Sequence, residues 1–564
     1  MVRSKGRVFW FGYATVMAAV ALSFYIGTAA ADVIYRSIDG YGNNLVNPDW
    51  GTPGSQLLRH GVPPAYDDGI SVPRGIGSLP SPRAVSNAVA AQSGSIPNSR
   101  GASDFLWQWG QFLDHDISLT RTNPAEPLPI PVPAGDSHFV PPIAFSRSMH
   151  DPSTGTGPGN PRQQVNVLTA FVDASQVYGS DQALADSLRS FEDGKLKTFE
   201  TDDGHVLLPL ISGSSSFGPG EMFLAGDERV NEQVALTAMH TVFVREHNRL
   251  AAEIADANPS FTDEKVYQEA RKLVGAMMQT ITYNEFLPML LGEGALGPYQ
   301  GYQDDVDPGV SSVFSTAAFR VGHTLLSPTL LRLDENGNSI GDLPLAHAFF
   351  NPAEIVNNGG IEPILRGLAA QPAQEIDPFI VDAVRNLLFG PPIGGVGLDL
   401  AALNMQRGRD HGLPGYNEVR RLLLGSDAMF DGWDDPDLNF LPGVKDALMA
   451  VYGSIDDIDL WIGGLSEAHA GGGMLGELFS AILIDQFERL RAGDRFWYEN
   501  GLFEQEWMDY INGSTLSAII MRNTSIGSMR LSAFAVPEPG VLALFAIGLA
   551  GLGALRRRKG FTLP

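Results

Sequence analysis

The chain has 564 residues, of which 44% are hydrophobic and 18% are charged, so it can bury a large core. Its formal net charge is −26, which argues against nucleic acid as a partner because a polyanion would be repelled. Cysteine is absent, so disulfides are excluded and stability must come from the core or from bound cofactors.

Residues 1–31 have the pattern of a secretory signal peptide. Basic residues precede an apolar run from Val8 to Ile26, and alanines at 29–31 give a small-residue cleavage site. The apolar run is also long enough for an uncleaved membrane anchor, so this alternative stays open. Length alone would suggest two or three domains. Because 32–535 contain no clear linker or repeat, we predict one large, mainly α-helical domain with long irregular loops and little β structure.

The run Gln111-Phe112-Leu113-Asp114-His115-Asp116 places three chemically different side chains on one predicted helical turn. Successive residues of an α-helix are rotated by about 100°, so Asp114, His115 and Asp116 should face three directions. Gln111 lies four residues before His115 and shares its face. A single histidine is more often structural than catalytic, so the rest of the chain must decide its role.

Oxygen donors recur at every second position of one later segment: Thr169, the carbonyl of Phe171, Asp173 and Ser175. Calcium takes about six to eight oxygen ligands, and Asp116 would complete this set from a distant segment. Taken alone, the segment is better explained as a strand or turn rich in hydroxyl groups. Residues 334–338 begin like an EF-hand loop, but their glycine is at the fourth position and not the sixth, so we predict a turn there.

Apolar periodicity predicts two long helices. One contains an apolar stripe at Leu236, Met239, Phe243, Leu250 and Ile254. The other covers residues 475–492 and is ended by Gly493-Asp494. Stretches rich in glycine and proline at 123–163 and 212–220 predict loops.

Polar residues also occur in pairs three positions apart, which on a helix places both members on one face: Arg229 with Glu232, Arg320 with His323, and Asn404 with Arg407. Each pair has a simple structural explanation. A surface ion pair such as Arg229 with Glu232 would contribute little to stability.

Residues 536–564 predict a membrane-held tail. Val536-Pro537-Glu538-Pro539 precede an apolar segment from Gly540 to Leu555 and four basic residues at 556–559, an order that places the basic side inward. This arrangement resembles the bacterial PEP-CTERM sorting signal. The resemblance implies transient retention in the inner membrane of a Gram-negative-type bacterium, cleavage by an exosortase-type enzyme, and export to the cell surface or beyond.

Seven runs of the chain resemble the animal haem peroxidase family, part of the peroxidase–cyclooxygenase superfamily, and occur in that family's order. They cover most of residues 35–530 and are long enough to be highly specific. The runs are WGQFLDHDISLT, LTAFVDASQVYGS, MHTVFVREHNRLA, AFRVGHTLL, LNMQRGRDHGLPGYN, SIDDIDLWIGGLSE and DQFERLRAGDRFWYEN.

The resemblance implies roles for the residues of the distal and proximal sides. His115 resembles the distal histidine, which moves a proton between the peroxide oxygens. Arg229 resembles the distal arginine, whose positive charge stabilises the developing negative charge. Gln111 would hold a water or a small substrate. His323 resembles the proximal iron ligand, and Asn404 would accept its other ring N–H.

The resemblance also implies how haem b and one calcium ion are held. Arg320 and Arg407 would pair with the haem propionates, although each also fits a structural salt bridge. Asp114 and Glu232 match the carboxylates that become ester-bonded to haem. Gln233 stands where some members have a methionine that forms a third link, which therefore cannot form here. The implied calcium ligands are Asp116, Thr169, Phe171, Asp173 and Ser175.

The implied activity is that of a secreted peroxidase, which uses hydrogen peroxide to oxidise small anions such as halide or thiocyanate, or phenolic donors, through a high-valent iron intermediate. A fatty-acid dioxygenase of the cyclooxygenase branch is the alternative enzyme. That branch has a tyrosine three residues before the proximal histidine, where this chain has Arg320, and it lacks the ester carboxylates. A surface adhesion or matrix protein on a peroxidase scaffold would be favoured by loss of His115, Arg229 or His323, and all three are present.

Overall fold

A computed structural model describes residues 35–140, 142–215, 218–391 and 395–536, and for 212–215 and 218–220 it describes the backbone alone. The predicted signal peptide lies outside the described residues, and so does the predicted tail except for Val536. Within the described part of the chain, no helix combines the length and the apolar character needed to cross a membrane.

The described residues fold mainly into α-helices joined by long irregular segments, as the sequence predicts. In chain order, α1 to α10 are Pro82–Val89, Phe105–Ile117, Ser175–Tyr178, Gln182–Leu188, Val234–Ala257, Asp263–Ile281, Leu287–Leu291, Ser312–Thr316, Leu345–Ala348 and Ala353–Val356. Helices α11 to α19 are Glu362–Ala370, Asp382–Arg385, Leu400–Asp410, Tyr416–Leu424, Val444–Val451, Leu460–Ser466, Glu477–Ala492, Gln505–Asn512 and Leu516–Arg522.

The two predicted helices are confirmed. The stripe from Leu236 to Ile254 lies within α5, and its members are at most 1% exposed. The second predicted helix is α17, which ends at Ala492 and is followed by Gly493 as predicted. The turn predicted at residues 334–338 is also present, because the Asp334 carboxylate accepts the backbone N–H groups of Asn336 and Asn338.

One apolar core runs through the described chain and is centred on α2, α5 and α6. The rings of Trp109 and Phe112 on α2 lie 5.8 Å and 5.2 Å from Phe243 on α5, in tilted contacts. Because α2 is buried along most of its length, this packing fixes the direction in which each of its polar side chains points.

The β structure of the described residues consists of two-stranded antiparallel ribbons. Strands β1 to β8 are Thr122–Pro127, Ser146–Ser148, Phe199–Glu200, Val206–Leu207, Leu210–Ser215, Gly218–Phe223, Thr329–Leu330 and Leu343–Pro344. The prediction of loops at 123–163 and 212–220 is therefore wrong in part, because β1, β2, β5 and β6 fall there. Glycine, serine and proline give no apolar alternation, whereas a two-stranded ribbon needs only paired backbone groups.

Candidate active site

Nine side chains that the sequence analysis assigns to a haem pocket line one cavity of about 370 Å³. They come from α2, from the segment before α5, from a 3-10 helix at Ala318–His323, and from α13. The nine residues are Gln111, Asp114, His115, Arg229, Glu232, Arg320, His323, Asn404 and Arg407. The fold thus brings together positions that are almost 300 residues apart in sequence.

Helix α2 directs three successive side chains to three different places, as its geometry predicts. Asp114 faces the cavity and lies 3.3 Å from Arg229 Nη1. His115 is 3% exposed and faces both the cavity and Asp227. Asp116 is fully buried on another side, where it accepts backbone N–H groups from residues 173–175.

His115 is a neutral imidazole in this environment. Burial lowers its pKa well below the usual value of 6.5, and the positive charge of Arg229 lowers it further. Its Nε2 lies 3.9 Å from Glu232 Oε2, and its Nδ1 lies 3.6 Å from Asp227 Oδ1. A buried neutral imidazole that lines a cavity can accept a proton from a ligand there.

Arg229 and Glu232 do not share a helix face, so that prediction is wrong. Helix α5 begins only at Val234, after Gln233, whose side chain caps it by accepting the N–H of Ala235. Arg229 and Glu232 instead occupy a turn in which Glu232 N donates to the carbonyl of Arg229 at 2.8 Å. The spacing of three still places both side chains in the cavity, because a turn also brings residues three apart close together.

Asp227 is a site residue that the sequence analysis missed. Its buried carboxylate accepts hydrogen bonds from Nε and Nη2 of Arg229 at 2.8 Å and 2.9 Å. Such a two-point contact fixes the plane of a guanidinium group. Burial opposes the charge of Asp227, but Arg229 outweighs burial and holds the pKa of Asp227 below its usual range. Its position two residues before Arg229 is the sequence feature that could have indicated a contact between the two side chains.

Asp114 and Glu232 both face the cavity as carboxyl groups whose burial raises their pKa. For Glu232 the pKa rises to about 7. Their side chains are 33% and 28% exposed, and this exposure is toward the cavity that they line. Gln111 lies beside them, where its Oε1 accepts a hydrogen bond from Gln233 at 3.0 Å.

His323 ends the 3-10 helix at Ala318–His323, a geometry that places residues three apart directly above one another. Arg320 and His323 therefore point into the cavity together, as predicted. Burial lowers the pKa of His323 to about 3, with a further contribution from Arg320. The ring is thus neutral, which is the form that binds a metal.

Asn404 contacts His323 Nδ1 at 2.8 Å, but through its amide nitrogen, while its Oδ1 accepts a hydrogen bond from Arg320 Nη1 at 3.1 Å. The expectation that Asn404 accepts a ring N–H is therefore not met in this amide orientation, because an amide nitrogen is a donor. Rotating the amide by half a turn would exchange the two atoms and leave the rest of the side chain in place.

The two cavity arginines differ in their partners. Arg407 donates to Asp410 at 2.9 Å and to the carbonyl of Ser146 at 3.0 Å, so a structural ion pair accounts for it. Arg320 forms no ion pair with any described carboxylate; burial lowers its pKa to about 10, and Arg407 adds to the shift. A half-buried cation that faces the cavity without an ionic partner is suited to a negatively charged ligand there.

The oxygen-rich segment at 169–175 is neither a regular strand nor a simple turn, but an irregular stretch that leads into α3. The Asp173 carboxylate accepts from Thr169 Oγ1 at 3.2 Å, and Ser175 Oγ donates to the Asp116 carbonyl at 2.6 Å. Phe171, which lies between Thr169 and Asp173 in the sequence, is fully buried. Asp116, Asp173 and Ser175 therefore meet at the end of α2, and Thr169 is hydrogen-bonded to Asp173.

The two acidic side chains of this set are both buried. Burial raises the pKa of Asp116 well above its usual range, and the negative charge of Asp173 raises it further. Burial also raises the pKa of Asp173, although Arg36, whose Nε lies 3.8 Å from Asp173 Oδ2, opposes this shift. Within the described chain, no group of three or more histidine and acidic residues is placed to hold a metal ion, so a cation here would also need hydroxyl and carbonyl oxygens.

Comparison with known proteins gives a family for the folded part and a motif for the end of the chain. The profile described as Animal haem peroxidase matches residues 35–534, and the PEP-CTERM protein-sorting motif matches residues 535–559. The chain is 40% identical to mouse (Mus musculus) myeloperoxidase, over 87% of the chain and 75% of that protein. It is 40% identical to human (Homo sapiens) eosinophil peroxidase, over 89% of the chain and 76% of that protein.

Three further proteins define the limits of the comparison. The chain is 38% identical to pig (Sus scrofa) thyroid peroxidase over 89% of its own length, but it spans only 61% of that protein. Peroxidase A from Dictyostelium discoideum has a similar structure, with a TM-score of 0.81 at 34% identity, over 89% of this chain and 99% of that one. A fatty acid alpha-dioxygenase from Arabidopsis thaliana has a TM-score of 0.76 over 90% and 84% of the two chains, but at 20% identity it shares the fold alone.

Proposed function

The chain belongs to the animal haem peroxidase family, and on that basis we propose that it is a haem peroxidase that reduces hydrogen peroxide and oxidises small anions, such as halide or thiocyanate, or phenolic donors. The observation that carries this proposal is one cavity lined by His115, Arg229 and His323. A neutral proton acceptor, a fixed positive charge and a neutral metal-binding imidazole are the groups that cleavage of a peroxide on haem requires.

The residues of the cavity fit haem b. His323 would supply a nitrogen ligand to the iron through Nε2 if the Asn404 amide, 2.8 Å from Nδ1, turned its oxygen to that atom, because the ring proton would then be on Nδ1 and Nε2 would be free for the metal. Arg320, a half-buried cation without an ion pair among the described residues, would pair with a propionate. Asp114 and Glu232 would form ester links to the ring. When bound, the haem would supply the oxidation–reduction chemistry that cleaves the O–O bond of peroxide.

The distal residues would handle the protons and the charge. His115 Nε2 takes the proton from the inner peroxide oxygen and returns it to the outer one, which leaves as water. Burial disfavours the charge of Arg229, but Asp227, with Asp114 and Glu232, outweighs burial and raises the pKa of Arg229. The charge, held in place by Asp227, would stabilise the departing oxygen. Gln111 would hold a water or a small donor beside His115, since it lines the same cavity.

A calcium ion would bind Asp116, Thr169, Phe171, Asp173 and Ser175. The support is a buried Asp116 that lies beside Asp173 and has no ion pair among the described residues, whereas Asp173 lies 3.8 Å from Arg36. Asp116 directly follows His115 in α2. The ion would therefore join the end of that helix to the 169–175 segment and hold the distal histidine in position.

We also propose that the chain is exported. The PEP-CTERM motif at 535–559 favours processing by an exosortase-type enzyme and delivery to the cell surface or beyond. The predicted signal peptide would start export, and the tail would be held transiently in the inner membrane. Comparing the mass of the released protein with that of the whole chain tests both cleavages.

The competing enzyme is a fatty-acid dioxygenase, whose fold this chain shares. Arg320 three residues before His323 argues against it, as does the pair Asp114 and Glu232. The decisive experiment is an absorption spectrum of the purified protein, followed by hydrogen peroxide with a panel of halides, thiocyanate and phenols, and by a fatty acid with dioxygen. Oxidation of the fatty acid without peroxidase activity would reverse the assignment. A surface adhesion or matrix protein would bind no haem.

A further inference from the structure

A second cavity, of about 230 Å³, lies outside the one that contains the predicted haem residues. Its wall is unusually aromatic, with Tyr283, Tyr299, Trp497 and Tyr498 all lining it. The exposed side chain of Glu499 also lines it, so the cavity is open to solvent. Its volume approaches the lower end of small-molecule sites, about 300 Å³.

A continuous series of aromatic rings joins the two cavities. Phe319 lines the first cavity, and its ring centroid lies 5.6 Å from that of Phe487. Phe487 lies 6.0 Å from Tyr283, and Tyr283 lies 4.6 Å from Trp497, which lines the second cavity. Each centroid distance falls in the range of direct ring contact. No gap in packing therefore separates the inner cavity from Trp497.

The backbone at the junction has an uncommon geometry. After α6 the helix continues as a π-helix at Thr282–Phe286 before α7 begins. Phe286, in this segment, lines the first cavity, and Tyr283 lines the second. Such π-helical turns are rare and occur frequently at functional sites. The π-helical segment Thr282–Phe286 therefore places Phe286 in the first cavity and Tyr283 in the second.

We propose that the second cavity is a donor site at which bulky phenols are oxidised one electron at a time, with the electrons passing through Trp497 and Tyr283 toward the inner cavity. The inference rests on the proposed peroxidase function. Reduction of one hydrogen peroxide to two waters consumes two electrons and two protons. Two phenols supply them in turn, each losing one electron and one proton and leaving as a phenoxyl radical.

The neighbours of Trp497 suit this transfer. Its indole N–H donates to Glu499 Oε2 at 2.9 Å, so the carboxylate can take that proton when the indole loses an electron, and return it afterwards. The Arg491 guanidinium lies 5.8 Å from the rings of both Tyr283 and Tyr299. Arg491 lies 3.8 Å from the Glu488 carboxylate, and Glu499 also lines the cavity, so the site suits a phenol without a charge of its own.

The test compares a donor that cannot enter the inner cavity with one that can. The bulky donor is tyramine grafted to dextran, the small donor is iodide, and the haem-loaded enzyme is used throughout. Trp497→Phe should slow oxidation of the grafted phenol by about tenfold and leave iodide oxidation unchanged. Glu499→Gln should slow the same reaction, and it avoids the core because Glu499 is exposed. Trp433→Phe, at a half-buried tryptophan that does not line this cavity, is the matched control.

A second measurement does not depend on turnover of a donor. The wild-type protein is treated with hydrogen peroxide and a nitroso spin trap, and its peptides are mapped by mass spectrometry. An adduct at Trp497 or Tyr283 is expected, and tyramine-dextran should suppress it. Adducts confined to other residues, or unchanged oxidation of the grafted phenol in both variants, would overturn the inference while iodide activity persists. A wild-type protein that oxidises neither donor would instead overturn the proposed peroxidase function, and this inference with it.

Discussion

Asp227 Oδ1 lies 3.6 Å from His115 Nδ1, on the side of the imidazole opposite to the atom that faces Glu232. The same oxygen accepts a hydrogen bond from Arg229 Nε at 2.8 Å. One buried carboxylate therefore orients Arg229 and adjoins His115. Its negative charge also raises the pKa of His115 and so partly offsets the lowering by Arg229.

Replacing Asp227 should disturb the distal side without removing either distal group. We expect Asp227→Asn to slow the reaction with hydrogen peroxide by up to roughly 100-fold, because a misplaced catalytic group costs about that much. Stopped-flow kinetics at several pH values measures this. Glu228→Gln is the control, because Glu228 is adjacent but 52% exposed and pairs with Arg121. Equal rates for the two variants would show that Asp227 does not position Arg229 or His115.

His115 and His323 should give different defects. We expect His115→Ala to slow the reaction with peroxide by roughly 100- to 10,000-fold while haem stays bound, because general acid–base help is worth that much. His323→Ala should disturb haem ligation itself and shift the Soret band. Rates and spectra of both variants provide the test. The same Soret band and the same rate in both would contradict the distal and proximal assignment.

Asp114 and Glu232 should hold haem covalently. After peroxide turnover, acid–organic extraction should leave haem on the polypeptide, since ester bonds survive conditions that break metal ligation. The double variant Asp114→Asn with Glu232→Gln should release it. Extraction followed by mass spectrometry of the polypeptide measures the retained haem. Free haem from the wild-type protein would contradict the assignment of ester links.

Removing a divalent cation should affect stability and the distal side together. A bound ion stabilises only the state that binds it, and Asp116 adjoins His115 in α2. We therefore expect a strong chelator to lower the melting temperature and to slow the peroxide reaction. Asp173→Ala should mimic this, and Asp334→Ala, in an exposed turn, should not. A metal-free protein with full activity would mean that residues 169–175 serve only as a structural segment.

Buried histidines should make the protein sensitive to acid. Burial lowers the pKa of His240 to about 4, so between pH 6.5 and 4 the unfolded chain binds a proton that the folded chain does not. The contribution of neutral His240 to the free energy of unfolding is fully present above pH 6.5 and is lost as the pH falls toward 4. His240 packs edge-on against Phe112 at 4.9 Å, where a phenyl ring can replace it.

The free energy of unfolding should fall between pH 7 and pH 5. We expect this fall to be smaller by about 2 kcal/mol in His240→Phe than in the wild-type protein. Urea titrations at the two pH values measure this loss. The control is His138→Phe, because His138 is exposed. An unchanged pH dependence in His240→Phe would show that another group dominates acid sensitivity.

The sequence by itself determined the helical class, the two long helices and the identity of the candidate site. Helical periodicity is local, so α5 and α17 could be read from apolar spacing. The directions of Asp114, His115 and Asp116 followed from the rotation of one helix. The site residues were found through long motifs, because a single histidine or a pair of residues three apart has many structural explanations.

Only the tertiary structure decided which groups meet and through which atoms. The turn that carries Arg229, the paired strands in 212–220 and the role of Asp227 depend on contacts with segments far along the chain. The amide orientation of Asn404 depends on Arg320, which competes for its oxygen. Packing also created the aromatic series from Phe319 to Trp497. Its rings come from three separate segments, and no local pattern in the sequence indicates that they are neighbours, because packing contacts form without regard to distance along the chain.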